Sequence, residues 1–282
     1  MELMNGMDVR ASLLEEYKEV IDNEELDISL AIIQVGDNPE SNKYIKNKLK
    51  YTEMVGINSK LYKLDSDVSE NELLKLIDNL NKDSKVTGII LQSPTPSHID
   101  FSYCARSIDV SKDVDGFCEE NLFGIRDNHE KVLPCTVKGI LRILDYYDID
   151  ISGRDIVVIG RSNIVGRPLA DALINRDATV TVCHSKTRDL EKHTKNADIV
   201  VSAVGSANLI TPDMVRDGFV GVDVGINFVD GKLVGDFNKD CYEKASYITP
   251  VPGGVGPMTV AMIIDNLIDL KRLEKNKKVY TK

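Results

Sequence analysis

One stretch of the sequence decides the fold class: Asp155-Ile156-Val157-Val158-Ile159-Gly160-Arg161-Ser162-Asn163-Ile164-Val165-Gly166-Arg167-Pro168. Its first five residues predict a buried strand, and Leu169-Ala170-Asp171-Ala172-Leu173 opens as a helix. Such a turn suits a phosphate group, because unpaired N–H groups and the positive end of the helix dipole converge there. The spacing departs from G-x-G-x-x-G, since Ser162 replaces the second glycine and the last glycine is displaced by one residue. The stretch predicts a dinucleotide site, with a plain tight turn as the alternative.

The end of the next strand indicates which dinucleotide the turn takes. An NAD site places Asp or Glu there, about 20 residues on, to bind the ribose 2′-hydroxyl. This chain has Cys183-His184-Ser185-Lys186-Thr187-Arg188 instead, with hydroxyls and cations but no carboxylate. Together with Arg161 these residues can neutralise a 2′-phosphate, because guanidinium donors match phosphate geometry. We therefore expect NADP rather than NAD as the cofactor.

Strands and helices alternate on both sides of this turn. Apolar runs predict the strands, and helix-like segments separate most of them: 28–35, 59–63, 88–91, 155–159, 179–182, 198–202 and 219–224. Asp230-Gly231 predicts a hairpin turn, because type I′ geometry requires a positive φ. The alternation indicates an α/β protein with two domains and mainly parallel sheets, the second domain being of Rossmann type.

Bulk composition narrows the partners and the location. The 282 residues carry a formal charge of −10, which opposes nucleic acid binding. No run of about 18 apolar residues suggests a membrane span, and the first residues do not resemble a signal peptide, so we expect a cytoplasmic protein. The five cysteines and four histidines lack the spacing of a zinc site or a disulfide framework, and no metal is expected.

A helix predicted over about 41–55 carries an unusual lysine. Helical periodicity places Ile45, Leu49 and Thr52 on the buried side and Lys48 at its edge, with Ser41 and Tyr44, while Lys43, Lys46 and Lys50 face solvent. An ammonium group partly removed from water releases its proton more readily, which suits proton transfer. The alternative is a lysine that lies along the core edge with its head group in water.

Two further polar residues occupy positions typical of ligand sites. Gln92 follows the strand Ile89-Ile90-Leu91 at its carboxyl end, where open α/β sheets bind ligands. Asp115 lies in the turn Lys112-Asp113-Val114-Asp115-Gly116. Because Asp-Gly is common in surface turns, a purely structural role remains the alternative for Asp115.

Taken together, these segments resemble the bifunctional methylenetetrahydrofolate dehydrogenase/methenyltetrahydrofolate cyclohydrolase family (bacterial FolD type) over nearly the whole chain. Their order and spacing, rather than any single motif, carry the resemblance: Gly36–Ser41 with Tyr44 and Lys48, Leu91–Pro94, Lys112–Phe117, Pro134–Thr136, Gly160–Gly166, Cys183–Ser185, Asp223–Asn227 and Pro250–Thr259. The resemblance implies NADP-dependent oxidation of 5,10-methylenetetrahydrofolate and hydrolysis of the resulting methenyl cation to 10-formyltetrahydrofolate.

The resemblance also implies a role for each catalytic position. Lys48 looks like the proton-transfer residue of the hydrolysis, Tyr44 its partner against the folate, and Gln92 the group that orients Lys48. Asp115 looks like the pterin anchor, a role that suits a carboxylate because its two oxygens can accept from adjacent N–H donors.

By the same resemblance, other positions bind cofactor and substrate. Gly160, Arg161, Ser162, Ser185 and Ile226 would contact NADP. The loop Pro252-Gly253-Gly254-Val255 would lie over the folate and nicotinamide.

The resemblance divides the chain into a folate-binding catalytic domain, residues 1–120 with a returning C-terminal helix 258–282, and a Rossmann NADP-binding domain, residues 121–257. It further implies a homodimer and a place in one-carbon metabolism that serves purine, histidine and methionine biosynthesis.

Some positions depart from the family pattern, and other functions remain open. Ser93 and Thr95 replace usual leucines, and Val137 replaces a common proline, changes that would affect the folate pocket. One alternative is an NADP-dependent dehydrogenase of another small substrate, similar to shikimate dehydrogenase, since fold alone does not exclude it. Another is a dinucleotide sensor without enzyme activity.

Overall fold

The computed structural model describes residues 1–280, with their side chains except at Glu40 and residues 277–280. Its strands are β1 Glu2–Leu3, β2 Ser29–Val35, β3 Asn58–Leu64, β4 Gly88–Leu91, β5 Asp155–Ile159, β6 Thr179–Cys183, β7 Ile199–Ser202, β8 Val220–Asp223, β9 Asn227–Val229, β10 Lys232–Val234 and β11 Tyr247–Ile248. Its helices are α1 Gly6–Asn23, α2 Pro39–Met54, α3 Glu70–Lys82, α4 Phe101–Arg106, α5 Glu119–Arg126, α6 Cys135–Tyr146, α7 Gly166–Ile174, α8 Leu190–Thr194, α9 Cys241–Lys244 and α10 Met258–Tyr280.

The chain forms two compact units, which we name after their sheets. The three-stranded unit comprises Ser12–Gly124, Glu130–Cys135 and the chain from Val260 onward. The six-stranded unit comprises Met1–Ala11, Ile125–His129 and Thr136–Thr259. The α/β class with two domains, predicted from the sequence, is confirmed.

In the three-stranded unit, β2 lies between β3 and β4 and pairs in parallel with both. Six of the seven β2 residues are buried, as expected for a central strand covered on both faces. Helix α3 begins with a capping box, in which the Ser69 hydroxyl accepts from the Glu72 N–H and the Glu72 carboxylate accepts from the Ser69 N–H. The apolar side of α3, with Leu73, Ile77 and Leu80, then packs into the core beside the sheet.

The six-stranded unit has an all-parallel sheet in the order β1-β11-β8-β7-β5-β6. The chain passes from β5 to β6 on one side and then to β7 on the other side of β5. The loops that leave β5 and β7 therefore diverge at a topological switch point, where parallel α/β sheets bind their ligands.

The seven predicted strands are confirmed within one or two residues, and so is the hairpin between β9 and β10. Asp230 and Gly231 both have positive φ, 51° and 74°, as a type I′ turn requires. The two-residue strands β1 and β11 and the helices α4, α5 and α9 were not predicted, because they are too short or too polar to give a periodic signal.

The predicted domain boundaries remain a prediction. Residues 1–11 group with the six-stranded unit, because β1 pairs with β11 at the edge of its sheet. Residues 281 and 282 of the predicted terminal helix lie outside the described residues. Within the described part of the chain, no helix has the length and apolar character that crossing a bilayer requires.

Candidate active site

Helix α2 places Lys48 at the edge of the core, as the sequence predicts. The helix begins where the Asn38 side-chain oxygen accepts from the Ser41 N–H (3.1 Å). Ile45 and Thr52 are buried on one side, and Lys48 is half-buried beside them. The neighbouring lysines of the helix face solvent: Lys43, Lys46 and Lys50.

Gln92 contacts Lys48 directly. The Lys48 ammonium donates to Oε1 of Gln92 at 3.0 Å, and Nε2 of Gln92 donates to the Ser93 carbonyl at 2.7 Å. The second bond fixes which amide atom faces the lysine. The Ser41 hydroxyl also donates to the Ser93 carbonyl (3.1 Å) and ties the start of α2 to the end of β4. Both bonds use the Ser93 backbone, so a serine at that position preserves them.

Asp115 lies close enough to Lys48 to interact with its charge. Burial raises the pKa of the Asp115 carboxyl, the Lys48 ammonium opposes that rise, and the Asp113 carboxylate adds to it. The Cys135 thiol contacts Oδ1 of Asp115 at 3.9 Å. The structure thus brings Lys48, Gln92 and Asp115 together from three separate segments.

A buried carboxylate shapes the turn that carries Asp115. Oδ1 of Asp113 accepts from the Gly116 N–H (3.0 Å), and Oδ2 accepts from the Cys118 N–H and the Asn121 amide, both at 2.8 Å. Gly116 has a φ of +72°, and a Cβ there would lie 2.8 Å from the Pro134 nitrogen. Asp113 therefore has a structural role in the turn. Asp115 makes none of these bonds and is available for a ligand.

Helix α10 supports the same turn through the side chain of Asn266. The Asn266 amide, fully buried, donates to the Val114 carbonyl (2.8 Å) and the Leu133 carbonyl (2.9 Å) and contacts the Cys135 sulfur (3.6 Å). It joins the segment that carries Asp115 to the segment that carries Cys135. Asn266 gives no local sequence signal of this role, because it lies 152 positions from Val114 in the chain.

Tyr44 lies one turn before Lys48 on α2 and is 51% exposed. An exposed aromatic ring next to a polar cluster is suited to stacking against a flat ligand. The role that the resemblance implies for Tyr44 stays a prediction.

In the six-stranded unit, the turn after β5 depends on two glycines. Gly160 has a φ of +123°, and a Cβ there would lie 2.7 Å from the Ala203 carbonyl oxygen. A Cβ at Gly166 would lie 2.2 Å from the Gly160 carbonyl oxygen. Gly166 is the first residue of α7, so its missing side chain lets the helix approach the strand end. Gly166 is displaced by one residue from the G-x-G-x-x-G spacing, but it has the packing role of the last glycine in that motif.

Ser162 caps helix α7 from within the turn. Its hydroxyl oxygen accepts from the N–H groups of Val165 (3.2 Å) and Gly166 (3.3 Å), and its carbonyl accepts from the Arg167 N–H (3.0 Å). The expectation that these N–H groups are unpaired is therefore wrong. The hydroxyl hydrogen of Ser162, the helix dipole and Arg161 remain suited to a phosphate group.

The turn after β6 fits a 2′-phosphate. The side chains of Arg161 and Ser185 are exposed, and the Gly160 N–H donates to the Cys183 carbonyl (2.9 Å), which joins the ends of β5 and β6. His184 accepts at its carbonyl from the Thr187 N–H (2.8 Å), which closes a tight turn around Ser185. Cations and hydroxyls without a carboxylate in this turn suit NADP.

Two buried carboxylates, Asp223 and Asp236, lie behind these loops, and the sequence predicts no role for either. Asp223 accepts from the N–H groups of Gly225 (3.1 Å), Asp236 (2.9 Å) and Phe237 (3.0 Å). Burial, with the Asp236 carboxylate, raises the pKa of Asp223 to about 6, and the N–H donors oppose the rise. A Cβ at Gly225 would lie 2.0 Å from Oδ1 of Asp236, and one at Gly235 would lie 1.9 Å from Oδ2 of Asp223. Only glycine fits at these two positions.

The remaining predicted positions lie on two loops of the same unit. Ile226 is 51% exposed. In the loop 250–255, Pro252 is exposed, whereas Gly254 and Val255 are buried. The Gly253 carbonyl accepts from the Gly6 N–H at 2.9 Å, so the loop is anchored rather than a free linker. Pro252 and Gly253 are the members that a ligand can reach.

Comparison with known proteins links both units to one family. Residues 4–115 match the family model of the tetrahydrofolate dehydrogenase/cyclohydrolase catalytic domain, and residues 134–275 match the NAD(P)-binding domain of that family. The bifunctional protein FolD of Campylobacter jejuni is 47% identical over 274 residues, which cover 95% of this chain and 97% of that protein.

Solved structures give the same result. The crystal structure of the Campylobacter jejuni bifunctional enzyme FolD has a TM-score of 0.94 and 46% identity, covering 97% of this chain and 99% of that one. The Trypanosoma brucei methylenetetrahydrofolate dehydrogenase-cyclohydrolase, solved with NADP and an inhibitor, has a TM-score of 0.90 and 32% identity, covering 97% and 98%. Shikimate 5-dehydrogenase of Thermus thermophilus, at a TM-score of 0.51 and 14% identity, covers 87% of this chain and 99% of that one and shares the fold alone.

Proposed function

Because the chain belongs to the tetrahydrofolate dehydrogenase/cyclohydrolase family, we propose that it oxidises 5,10-methylenetetrahydrofolate with NADP and hydrolyses the methenyl product to 10-formyltetrahydrofolate. It is a bifunctional enzyme of one-carbon metabolism with NADP as its cofactor. The observation that carries the assignment to particular residues is the contact between Lys48 and Gln92 beside Asp115.

The hydrolysis requires proton transfer at the one-carbon bridge. The oxygen of water bonds to the bridging carbon, the bond from that carbon to N5 breaks, and of the two water protons one goes to N5 and one to solvent. We assign this transfer to Lys48, which in its unprotonated amine form accepts a proton from the attacking water and then donates it to N5. Gln92 holds the Lys48 nitrogen in place through its Oε1 atom.

Substrate binding is assigned to three positions of the three-stranded unit. Asp115 accepts hydrogen bonds from the adjacent N–H donors of the pterin edge, because both carboxylate oxygens can accept together. The exposed ring of Tyr44 packs against the folate, and Gln92 completes the polar contacts. In the six-stranded unit, the loop Pro252-Gly253-Gly254-Val255 contributes to folate binding through its accessible members.

The oxidation depends on positioning rather than on acid–base chemistry. NADP, when bound, accepts the hydride that leaves the bridging carbon. Gly160, the Ser162 hydroxyl and the positive end of the α7 dipole would hold the pyrophosphate, and Arg161 with Ser185 would hold the 2′-phosphate. Ile226 supplies an apolar contact at the carboxyl end of the sheet. Each of these assignments is supported by exposure or backbone geometry at the carboxyl ends of the parallel strands.

We further propose a cytoplasmic homodimer whose product serves purine, histidine and methionine biosynthesis. The exposed edge strand β6 supports the dimer, because it pairs with β5 on one side and four of its five residues are not buried. An accessible strand edge of this kind is a template for pairing with another chain.

An absorbance assay tests the oxidation. Purified protein with methylenetetrahydrofolate and NADP is followed in the near ultraviolet, where the methenyl product absorbs, and NAD replaces NADP in a parallel reaction. We expect NADP-dependent product formation, and Arg161→Ala should raise KM for NADP about tenfold or more while leaving KM for NAD nearly unchanged. Absence of an NADP-dependent signal, together with oxidation of shikimate, would favour the alternative dehydrogenase.

A further inference from the structure

Asp236 is a fully buried carboxylate with five hydrogen-bond donors. Its Oδ2 accepts from the Ser202 hydroxyl (2.8 Å) and from the N–H groups of Val204 (3.0 Å) and Gly205 (3.3 Å). Its Oδ1 accepts from the Ser206 N–H (2.7 Å) and the Asn227 amide (3.1 Å). One side chain therefore organises a whole loop, because three consecutive backbone N–H groups point at it.

The loop that Asp236 holds lies at the switch point of the sheet. It follows β7, and the Ala203 N–H donates to the carbonyl of Ile159, the last residue of β5 (2.8 Å). The Ala203 carbonyl approaches Gly160 so closely that a Cβ at Gly160 would lie 2.7 Å away. A shift of the loop toward Gly160 would therefore press on the turn Gly160–Gly166.

The second segment that Asp236 holds carries a proposed cofactor contact. Asn227 directly follows Ile226, and its amide donates to the Val234 carbonyl (3.4 Å) as well as to Asp236. Asp236 is itself fixed, because its own N–H donates to Asp223. Its Oδ1 atom also packs so closely against Gly225 that a Cβ there would collide with it. The position of Ile226 is thereby linked to the loop after β7.

A carboxylate is the side chain best suited to this place. Both of its oxygens accept and neither donates, so five donors can be satisfied at once. An amide in the same position would turn an N–H group toward either the Val204 and Gly205 N–H groups or the Ser206 N–H. The loop would then lose hydrogen bonds that hold it in its present conformation.

We propose that Asp236 is a positioning residue for NADP, which sets the loop 203–206 and the segment Ile226-Asn227 in the geometry that the cofactor requires. The proposal rests on the proposed binding of NADP by the six-stranded unit. Asp236 acts on the cofactor through these two segments, since its own side chain is fully buried.

The test compares Asp236→Asn with Asp198→Asn. Asp198 lies at the amino ends of β5 and β7, where it accepts from the Asp155 N–H (2.9 Å) and pairs with Arg216, so its loss weakens the same unit at the opposite end of the strands. Wild-type protein and both variants are assayed for KM and kcat with NADP and with methylenetetrahydrofolate, and for thermal unfolding by circular dichroism.

We expect D236N to raise KM for NADP about tenfold, which corresponds to one or two lost hydrogen bonds, with KM for folate changed less than twofold. D198N should lower the melting temperature and leave KM for NADP within twofold of wild type. An unchanged KM for NADP in D236N, or an equal rise in D198N at equal loss of stability, would overturn the proposal.

A milder variant covers the case in which D236N does not fold. Ser202→Ala removes a single donor to Asp236, and KM for NADP should rise about three- to fivefold, whereas a value within twofold of wild type would overturn the proposal. Failure of the proposed function is distinct, because wild-type protein would then show no NADP-dependent oxidation of methylenetetrahydrofolate.

Discussion

Asp115, the proposed pterin contact, lies in an unfavourable place for a charge. Burial raises the pKa of its carboxyl group, and Asp113 adds to the rise, while Lys48 acts in the opposite direction. A carboxyl group in this setting is protonated at a higher pH than an ordinary aspartate. Protonation places a hydrogen on one of the oxygens that would accept from the pterin.

The pH dependence of folate use tests this assignment. As the pH falls, kcat/KM for methylenetetrahydrofolate should decrease with an apparent pKa above the ordinary aspartate value of about 4, because the protonated carboxyl loses an acceptor. Steady-state kinetics from pH 4.5 to 8 give the profile. In Asp115→Asn the acid limb should vanish, and kcat/KM at neutral pH should fall at least about tenfold. An acid limb that persists unchanged in D115N would assign it to another group.

Residues differ in how far the sequence alone identifies them. Lys48 is identified because helical periodicity separates it from its lysine neighbours on the same helix. Its contact with Gln92, 44 positions away, depends on tertiary structure, and only the resemblance predicts it. Asp236 gives no local signal, since its loop donors lie about 30 positions earlier in the chain.

At the scale of elements, helix α10 contributes a polar group, the Asn266 amide, to the three-stranded unit. Its buried residue Asn266 bridges the carbonyls of Val114 and Leu133, which flank the Asp115 turn. Without the Asn266 amide, these two carbonyls would lose a hydrogen-bond donor. The helix therefore both completes the core and supports the turn that carries Asp115, the proposed pterin contact.

Replacement of Asn266 tests this support. Asn266→Ala should lower the free energy of unfolding by about 1–3 kcal/mol, because buried acceptors are left without that donor. It should also raise KM for methylenetetrahydrofolate more than KM for NADP. Thermal melting and steady-state kinetics measure the two effects, and Asn276→Ala, at an exposed position of the same helix, is the matched control. Equal KM values in N266A and wild type would limit Asn266 to a purely structural role.

Long elements with continuous apolar or periodic patterns follow from the sequence, as β2, β5 and α3 show. Short elements do not, because β1 and β11 each have two residues and exist through pairing with neighbours. Helix α5 lies in a stretch rich in Asp, Asn and Gly, where propensity favours turns. Tertiary contacts therefore decide these elements.

At the scale of the whole molecule, the oligomeric state tests whether the β6 edge of the sheet is the dimer interface. Val182 on β6 is 39% exposed, and Val182→Lys places a charge on the proposed interface. Light scattering after gel filtration should show twice the chain mass for wild type and a shift to single chains for V182K. Tyr103→Lys, at an exposed apolar position of the three-stranded unit, should remain dimeric. A dimer that V182K leaves intact would exclude this edge as the interface.

The central claim is that one chain carries two chemistries, with the proton transfer of the hydrolysis assigned to Lys48. The most direct measurement follows methenyltetrahydrofolate hydrolysis and NADP binding in Lys48→Met, which removes the amine and keeps a long apolar side chain. We predict that hydrolysis above the uncatalysed rate is lost, by about 100-fold or more, whereas the Kd for NADP stays within twofold of wild type. Hydrolysis at the wild-type rate in K48M would contradict the account.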